Sequence, residues 1–221
     1  MGNGIEVSAS GLRKSFARGK VRAVDGIDLE IAAGEWLSIT GATGSGKSTL
    51  LSLLALLEQP DEGRILFDGT PSDRLIPPED WRAENLGVVF QFHHLLPHLT
   101  LLENTMLPLA PKRIPRREAL SLAEATLRRV GILHRAATRA ALVSGGERQL
   151  AAVARSLVAG PRLLLADEPT GNVDSQTAEL VVGLLASWNR EDHGTLVMVT
   201  HNDELAARAD RMIRIQSGRV V

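Results

Sequence analysis

The chain reads as an α/β protein built on a mostly parallel sheet, with an antiparallel β subdomain in its N-terminal part and a helical insert. Three stretches predict this. "EWLSITGATGSGKSTLLSLLALL" passes from a short apolar strand through a glycine-rich turn into an apolar helix that begins near Lys47. "RLLLADEPTGNVD" carries an apolar run, Leu163 to Ala166, that stops at Asp167 and Glu168. "TLVMVT" is a β-branched run that leads to His201.

The first stretch defines a phosphate cradle. Gly41, Ala42, Thr43, Gly44, Ser45, Gly46, Lys47 and Ser48 fit G-x-x-x-x-G-K-[ST], followed by Thr49 in the helix. The glycines let backbone N–H groups converge on phosphate oxygens, Lys47 reaches the outer phosphates, and the Ser48 hydroxyl suits Mg²⁺. This predicts an ATP or GTP site. A turn that merely caps a core helix would leave Lys47 unexplained.

A nucleotide site also needs an acid on a neighbouring strand. Asp167 is expected to hold Mg²⁺ and Glu168, one residue on, to polarise the water that attacks the γ-phosphate. A bare "DE" at a strand end is ordinarily a pair of solvated carboxylates. The cradle gives this pair a purpose.

Residues between Gln91 and Ser144 read mainly as helix, including the amphipathic run "REALSLAEATLRRVGI". The insert is placed at 91–160, and residues 1–90 and 161–221 form the nucleotide-binding core of a single domain spanning 1–221. In "VSGGERQLAAVARSLVAGP", Ser144 is a good N-cap and Glu147 completes a capping box, while Leu150, Val153, Ala154 and Leu157 share one face. Gly145 and Gly146 in the first turn cost about 1 kcal/mol each relative to Ala. Bare glycines there leave N–H groups open to an anion at the positive end of the helix.

Composition narrows the function classes. At 221 residues, with 44% hydrophobic and 23% charged, the chain is an ordinary globular protein. A formal net charge of -1 with 3% aromatics gives neither the basic field nor the stacking surface of a nucleic-acid binder. No cysteine is present, which removes disulfides, thiolate metal sites and thiol nucleophiles. The apolar stretch from Leu50 to Leu57, broken by Ser52, falls far short of the roughly 20 residues that span a bilayer. The opening "MGNGIEVSAS" lacks the order of a signal peptide, so the chain is expected in the cytosol.

"GATGSGKST", Gln91, "VSGGERQ", "LLLADEPTGNVD" and His201 stand in the order and spacing of an ATP-binding cassette (ABC) ATPase, and the chain resembles that family along essentially its whole length. The resemblance implies the P-loop NTPase fold, with ATP and Mg²⁺ as ligands. It also implies that two subunits pair head to tail, so that Ser144, Gly145, Gly146 and Glu147 serve the partner's nucleotide. Carried over singly, Phe16 matches the aromatic that stacks on adenine, Gln91 the glutamine that senses Mg²⁺ and the attacking water, Asp174 a dimer-contact aspartate, and His201 the histidine at the γ-phosphate. The alternative for Phe16 is a small core aromatic, and Asp174 could simply cap the helix that follows. Val143 stands where the family prefers Leu, and Leu150 where it commonly has Arg. Neither change removes a catalytic group.

The segment "QFHHLLPHLTLLEN" brings three histidines close together. Pro97 disturbs the helix that His94 and His98 would need to share a metal, and no Cys or nearby Asp completes a ligand set. Its leucines, Leu95, Leu96, Leu99 and Leu101, either pack on the inserted helices or form a groove for a membrane helix. In wording, "FQFHHLLPHLTLLENTMLPL" with "SGGERQ" and "ADEPTGN" is similar to ATPase subunits of lipoprotein-releasing and macrolide-exporting transporters. That implies integral membrane subunits docking near residues 91–104 and a peripheral place on the cytoplasmic face of the bacterial inner membrane. Three other classes share part of the pattern: a P-loop kinase, a soluble ABC ATPase of chromosome repair, and a regulatory ATP sensor. The kinase has no use for a Ser-Gly-Gly helix start acting in trans, the repair ATPase would need heptad repeats, and a sensor needs neither Glu168 nor His201.

Overall fold

The structure is a computed structural model that describes residues 3–17 and 19–221. Its strands are β1 (Val7–Phe16), β2 (Val21–Ile31), β3 (Trp36–Thr40), β4 (Glu62–Phe67), β5 (Thr70–Pro71), β6 (Leu86–Val89), β7 (Leu163–Asp167), β8 (Thr195–Val199), β9 (Arg211–Gln216) and β10 (Arg219–Val220). Its helices are α1 (Lys47–Leu54), α2 (Pro78–Asn85), α3 (Leu101–Met106), α4 (Arg116–Arg129), α5 (Gly145–Leu157), α6 (Ser175–Glu191) and α7 (Asp203–Ala206), with short 3-10 turns between some of them.

Two sheets form. One is antiparallel, in the order β2-β1-β4-β5. The other runs β10-β9-β3-β8-β7-β6 and is parallel except for the β9–β10 hairpin. Strands β3 and β8 are buried at every position, as expected of parallel strands covered on both faces. The β-rich N-terminal part and the parallel layer thus appear where the sequence places them.

The first core lies where the antiparallel sheet and α1 meet one face of the parallel sheet, with Val7, Ile27, Ile31, Ile39, Leu50, Leu54, Ile65 and Val197 packed together. A second core covers the opposite face, where Val153 and Leu157 of α5 and Val181, Leu185 and Trp188 of α6 meet Leu164, Leu196 and Met198. Leu150 is buried in it and acts there as a packing residue. Between β6 and β7 the helices run from Leu101 to Leu157, and α4 buries Ala119, Ala123 and Leu127 at four-residue spacing.

The topology fixes where chemistry can occur. β3, β8, β7 and β6 are consecutive neighbours pointing the same way, so the segments leaving their C-terminal ends share one edge of the sheet. Those segments begin at Gly41, Thr200, Glu168 and Phe90.

Candidate active site

The turn after β3 is shaped by close backbone approaches that only glycine permits. Gly41 has φ +142°, and a Cβ there would overlap the Ile215 carbonyl of β9; Gly46 has φ +108°, and its Cβ would overlap the Ala23 carbonyl of β2. At Gly44, φ +78°, a Cβ would meet nothing within 4 Å, so this glycine serves the turn alone. Further bonds hold the loop: Ser45 N–H donates to the Ala42 carbonyl (3.1 Å) and Gly218 N–H to the Ser45 carbonyl (2.9 Å). Lys47 is 7% exposed, and its Nζ donates to the Gly41 and Ala42 carbonyls at 2.8 and 2.9 Å. The first-turn N–H groups of α1, from Lys47 to Thr49, have no partner within the helix and lie at its positive end.

The acids leave β7 together and are treated differently. Asp167 has Oδ1 buried without a hydrogen-bond partner among the described residues. Glu168 takes φ +45°, a left-handed conformation that costs a non-glycine residue about 1–3 kcal/mol and persists only where the surroundings impose it. They do so here. Its N–H donates to the Val199 carbonyl (3.0 Å), its carbonyl accepts from Gly171 N–H (3.0 Å), and its Oε2 lies 2.8 Å from His201 Nδ1. His201 N–H adds a longer bond to the same oxygen, 3.3 Å.

Gln91 follows β6 and is tied to the same loop, since Asn172 Nδ2 donates to its carbonyl at 3.0 Å and Gly171 packs against its amide. Thus 41–48, Gln91, Asp167, Glu168 and His201 gather at one sheet edge. Phe16 ends β1, is 40% exposed and has Lys14 Nζ 5.6 Å from its ring centroid. Its cross-strand partner Val21 lies on β2, the strand whose Ala23 touches the cradle at Gly46.

The second helix start singled out by the sequence opens α5. Ser144 caps α5: its Oγ accepts from Glu147 N–H (3.2 Å) and Glu147 Oε2 accepts from Ser144 N–H (2.8 Å), the capping box read from the sequence. The bond from Ser144 N–H holds the Glu147 carboxyl below the usual range, with help from Arg135 at 2.7 Å. The two glycines differ. A Cβ on Gly146 would come 2.9 Å from Thr177 Oγ1 of α6, a packing reason for glycine, whereas on Gly145 it would meet only the Asn172 carbonyl at 3.8 Å. Asp174 is the N-cap of α6, accepting from Thr177 N–H (2.9 Å) and Thr177 Oγ1 (2.9 Å), bonds that lower its pKa.

The Gln91–Asn104 stretch is only partly a surface. Leu101 is fully buried, Leu95 packs on the second core, and Leu96 is 40% exposed. Within this stretch the most exposed apolar side chain is Phe92, at 65%, which sequence reading passed over. Arg155 of α5 pins the turn by donating to the His94 (2.6 Å) and His93 (2.7 Å) carbonyls, and burial lowers its pKa. Among the described residues no group of three or more His, Asp or Glu side chains is arranged to hold a metal ion.

The ABC transporter family profile matches residues 24–171. The chain belongs to this family. As an ABC ATPase it binds and hydrolyses ATP. It is 45% identical to the lipoprotein-releasing system ATP-binding protein LolD 2 of Rhodopirellula baltica, over 96% of this chain and 87% of the relative. With LolD of Geobacter metallireducens the identity is 44%, covering 95% of both chains. Among solved structures, the ATP-binding cassette MJ0796 in a dimeric post-hydrolysis state bound to ADP and Pi superposes with a TM-score of 0.90 at 35% identity, covering 97% of this chain and 96% of that one.

Proposed function

We propose that this ABC ATPase is the energising subunit of a bacterial lipoprotein-releasing transporter, working as a homodimer bound to the cytoplasmic face of the inner membrane. The observation that carries this reading is near-full-length similarity to relatives named for that system. No described helix is long and apolar enough to cross a membrane, so membrane subunits would supply the path for cargo.

In the proposed cycle two copies close head to tail, each ATP lying between one cradle and the partner's Ser144–Gly146 helix start. The dimeric cassette superposed above supports pairing of two copies. Gly145, which the packing of this subunit does not demand, supports an external ligand for that start. Ser48, Gln91 and Asp167 would hold Mg²⁺: all three present oxygen donors suited to a hard cation, and Asp167 Oδ1 is buried without another partner. When bound, the ion would neutralise charge on the phosphates. Lys47 binds the outer phosphates and Phe16 stacks on adenine. Glu168 orients a water and takes its proton as the new bond to γ-phosphorus forms and the bond to the β-phosphate oxygen breaks. His201 holds Glu168 in place and reaches the γ-phosphate. Asp174 acts at the dimer contact as well as capping α6.

The test is a pull-down from detergent-solubilised membranes of the source organism, using the Glu168→Gln form with ATP and Mg²⁺ and mass spectrometry of the captured proteins. Membrane subunits bearing large periplasmic domains, with lipoproteins attached, are expected. Capture of soluble proteins or DNA alone would overturn the assignment.

Membrane docking is assigned to residues 91–104. Leu95 belongs to the core, so the informative variant is Phe92→Asp with Leu96→Asp. It should fold, keep ATP binding, and lose recruitment to those membranes by about tenfold or more, as expected when apolar contacts near the centre of an interface are replaced by charge. Unchanged recruitment in a sedimentation assay would remove this surface from the interface.

A further inference from the structure

Gln149 lies on α5 about one turn past the Ser144–Gly146 start, is 1% exposed, and sits beside the buried apolar residues Leu150 and Val153. A polar residue at such a position needs a reason. Its Nε2 donates to the Pro169 carbonyl at 2.6 Å, while its Oε1 is buried without a partner among the described residues. The bond to Pro169 fixes one end of the side-chain amide, and the His93 imidazole lies beside the same amide.

Pro169 directly follows Glu168, the residue held at φ +45°. The loop is anchored at three places by three different elements: to β8 through Glu168 N–H and Val199, to the end of β6 through Asn172 and Gln91, and to α5 through Pro169 and Gln149. Removing the third anchor frees the side of the loop that faces α5.

We propose that Gln149 is a positioning residue for hydrolysis: by fixing the Pro169 carbonyl it sets the pose of Glu168, so each subunit's catalytic carboxylate follows the position of its own α5. In the closed dimer the start of that helix engages the partner's nucleotide, so Gln149 lets occupancy of one site set the geometry of the other. The inference rests on the reading of Glu168 as the water-activating group and on head-to-tail pairing.

The experiment uses the purified full chain with Gln149→Asn, which keeps a buried amide but shortens its reach by one methylene, and Gln149→Met, which removes the donor at similar volume. In both, kcat should fall by about ten- to a hundredfold, the scale expected for misplacing a catalytic group by up to 1 Å. The Kd for ATP and the melting temperature should stay near the parent's, and amide hydrogen exchange across residues 168–173 should quicken. A merely structural role would move Kd and melting temperature together with kcat, and that result overturns the proposal. So does a kcat within about threefold of the parent for the folded Gln149→Asn form. Glu168→Gln is measured alongside. If it hydrolyses at the parent rate, the reading of Glu168 fails; if it is inactive while Gln149→Asn is not, only the positioning role fails.

Discussion

Glu168→Gln is expected to lower kcat by about 10²–10⁴-fold, the usual contribution of a positioned general base, while ATP still binds with about parental affinity. The substitution is nearly isosteric, so it separates chemistry from shape. An amide oxygen at this position can still accept from His201 N–H, and the ties of the Glu168 backbone to Val199 and Gly171 do not involve the side chain. The loop should keep its form. What the amide cannot do is take a proton from water. With ATP uncleaved, the closed pair has no route to reopen, and size-exclusion chromatography should show a dimer that persists with ATP and Mg²⁺ and dissolves on their removal. Steady-state release of phosphate at the parent rate would displace Glu168 from its role and move attention to His201, whose Nδ1 lies 2.8 Å from it.

The parts of the site that were legible in the sequence are those whose chemistry is local. The cradle is contiguous, and its Lys47 has no packing explanation. The Ser144–Glu147 capping box is likewise a short-range pattern, and it forms as read. What stayed hidden depends on contacts between residues distant in sequence. Gly46 is required by Ala23 and Gly146 by Thr177, pairings that only the folded topology supplies. The leucines of the 91–104 stretch look alike in sequence and part company in the fold, because Thr100 and Glu103 form a second capping box that starts α3 and turns Leu101 inward. Asn104, fully buried, then staples the preceding turn through bonds to Leu96, Leu99 and Thr100. The T-x-x-E of "TLLEN" was a readable signal for that helix. Gln149 left a fainter one, a polar residue four before Val153 on a buried stripe.

Lys47→Ala should weaken ATP binding by about 10²-fold or more, since a charge-assisted bond to phosphate is worth about 1.5–3 kcal/mol and the ammonium can make more than one. The geometry explains why no neighbour can substitute. Lys47 is nearly buried and gives two N–H bonds to the Gly41 and Ala42 carbonyls. That leaves one of its three donors uncommitted, and among the described residues no carboxylate pairs with its charge. Phosphate is the stronger partner, so binding exchanges neutral bonds for charged ones. Folding should suffer little in the variant, because the two orphaned carbonyls are offset by relief of a buried charge, and the loop keeps its Ser45–Ala42 and Gly218–Ser45 bonds. Thermal unfolding distinguishes these effects. At a nucleotide concentration of about 100 times Kd the parent should gain roughly 2.7 kcal/mol and melt at a correspondingly higher temperature. At the same nucleotide concentration Lys47→Ala should gain at most about 0.4 kcal/mol and melt close to the ligand-free parent. Lys47→Arg should also fail, since a planar fork cannot replace a compact ammonium between two loop carbonyls. An ATP-dependent rise equal to the parent's in Lys47→Ala would mean that the nucleotide is held by the backbone cradle alone.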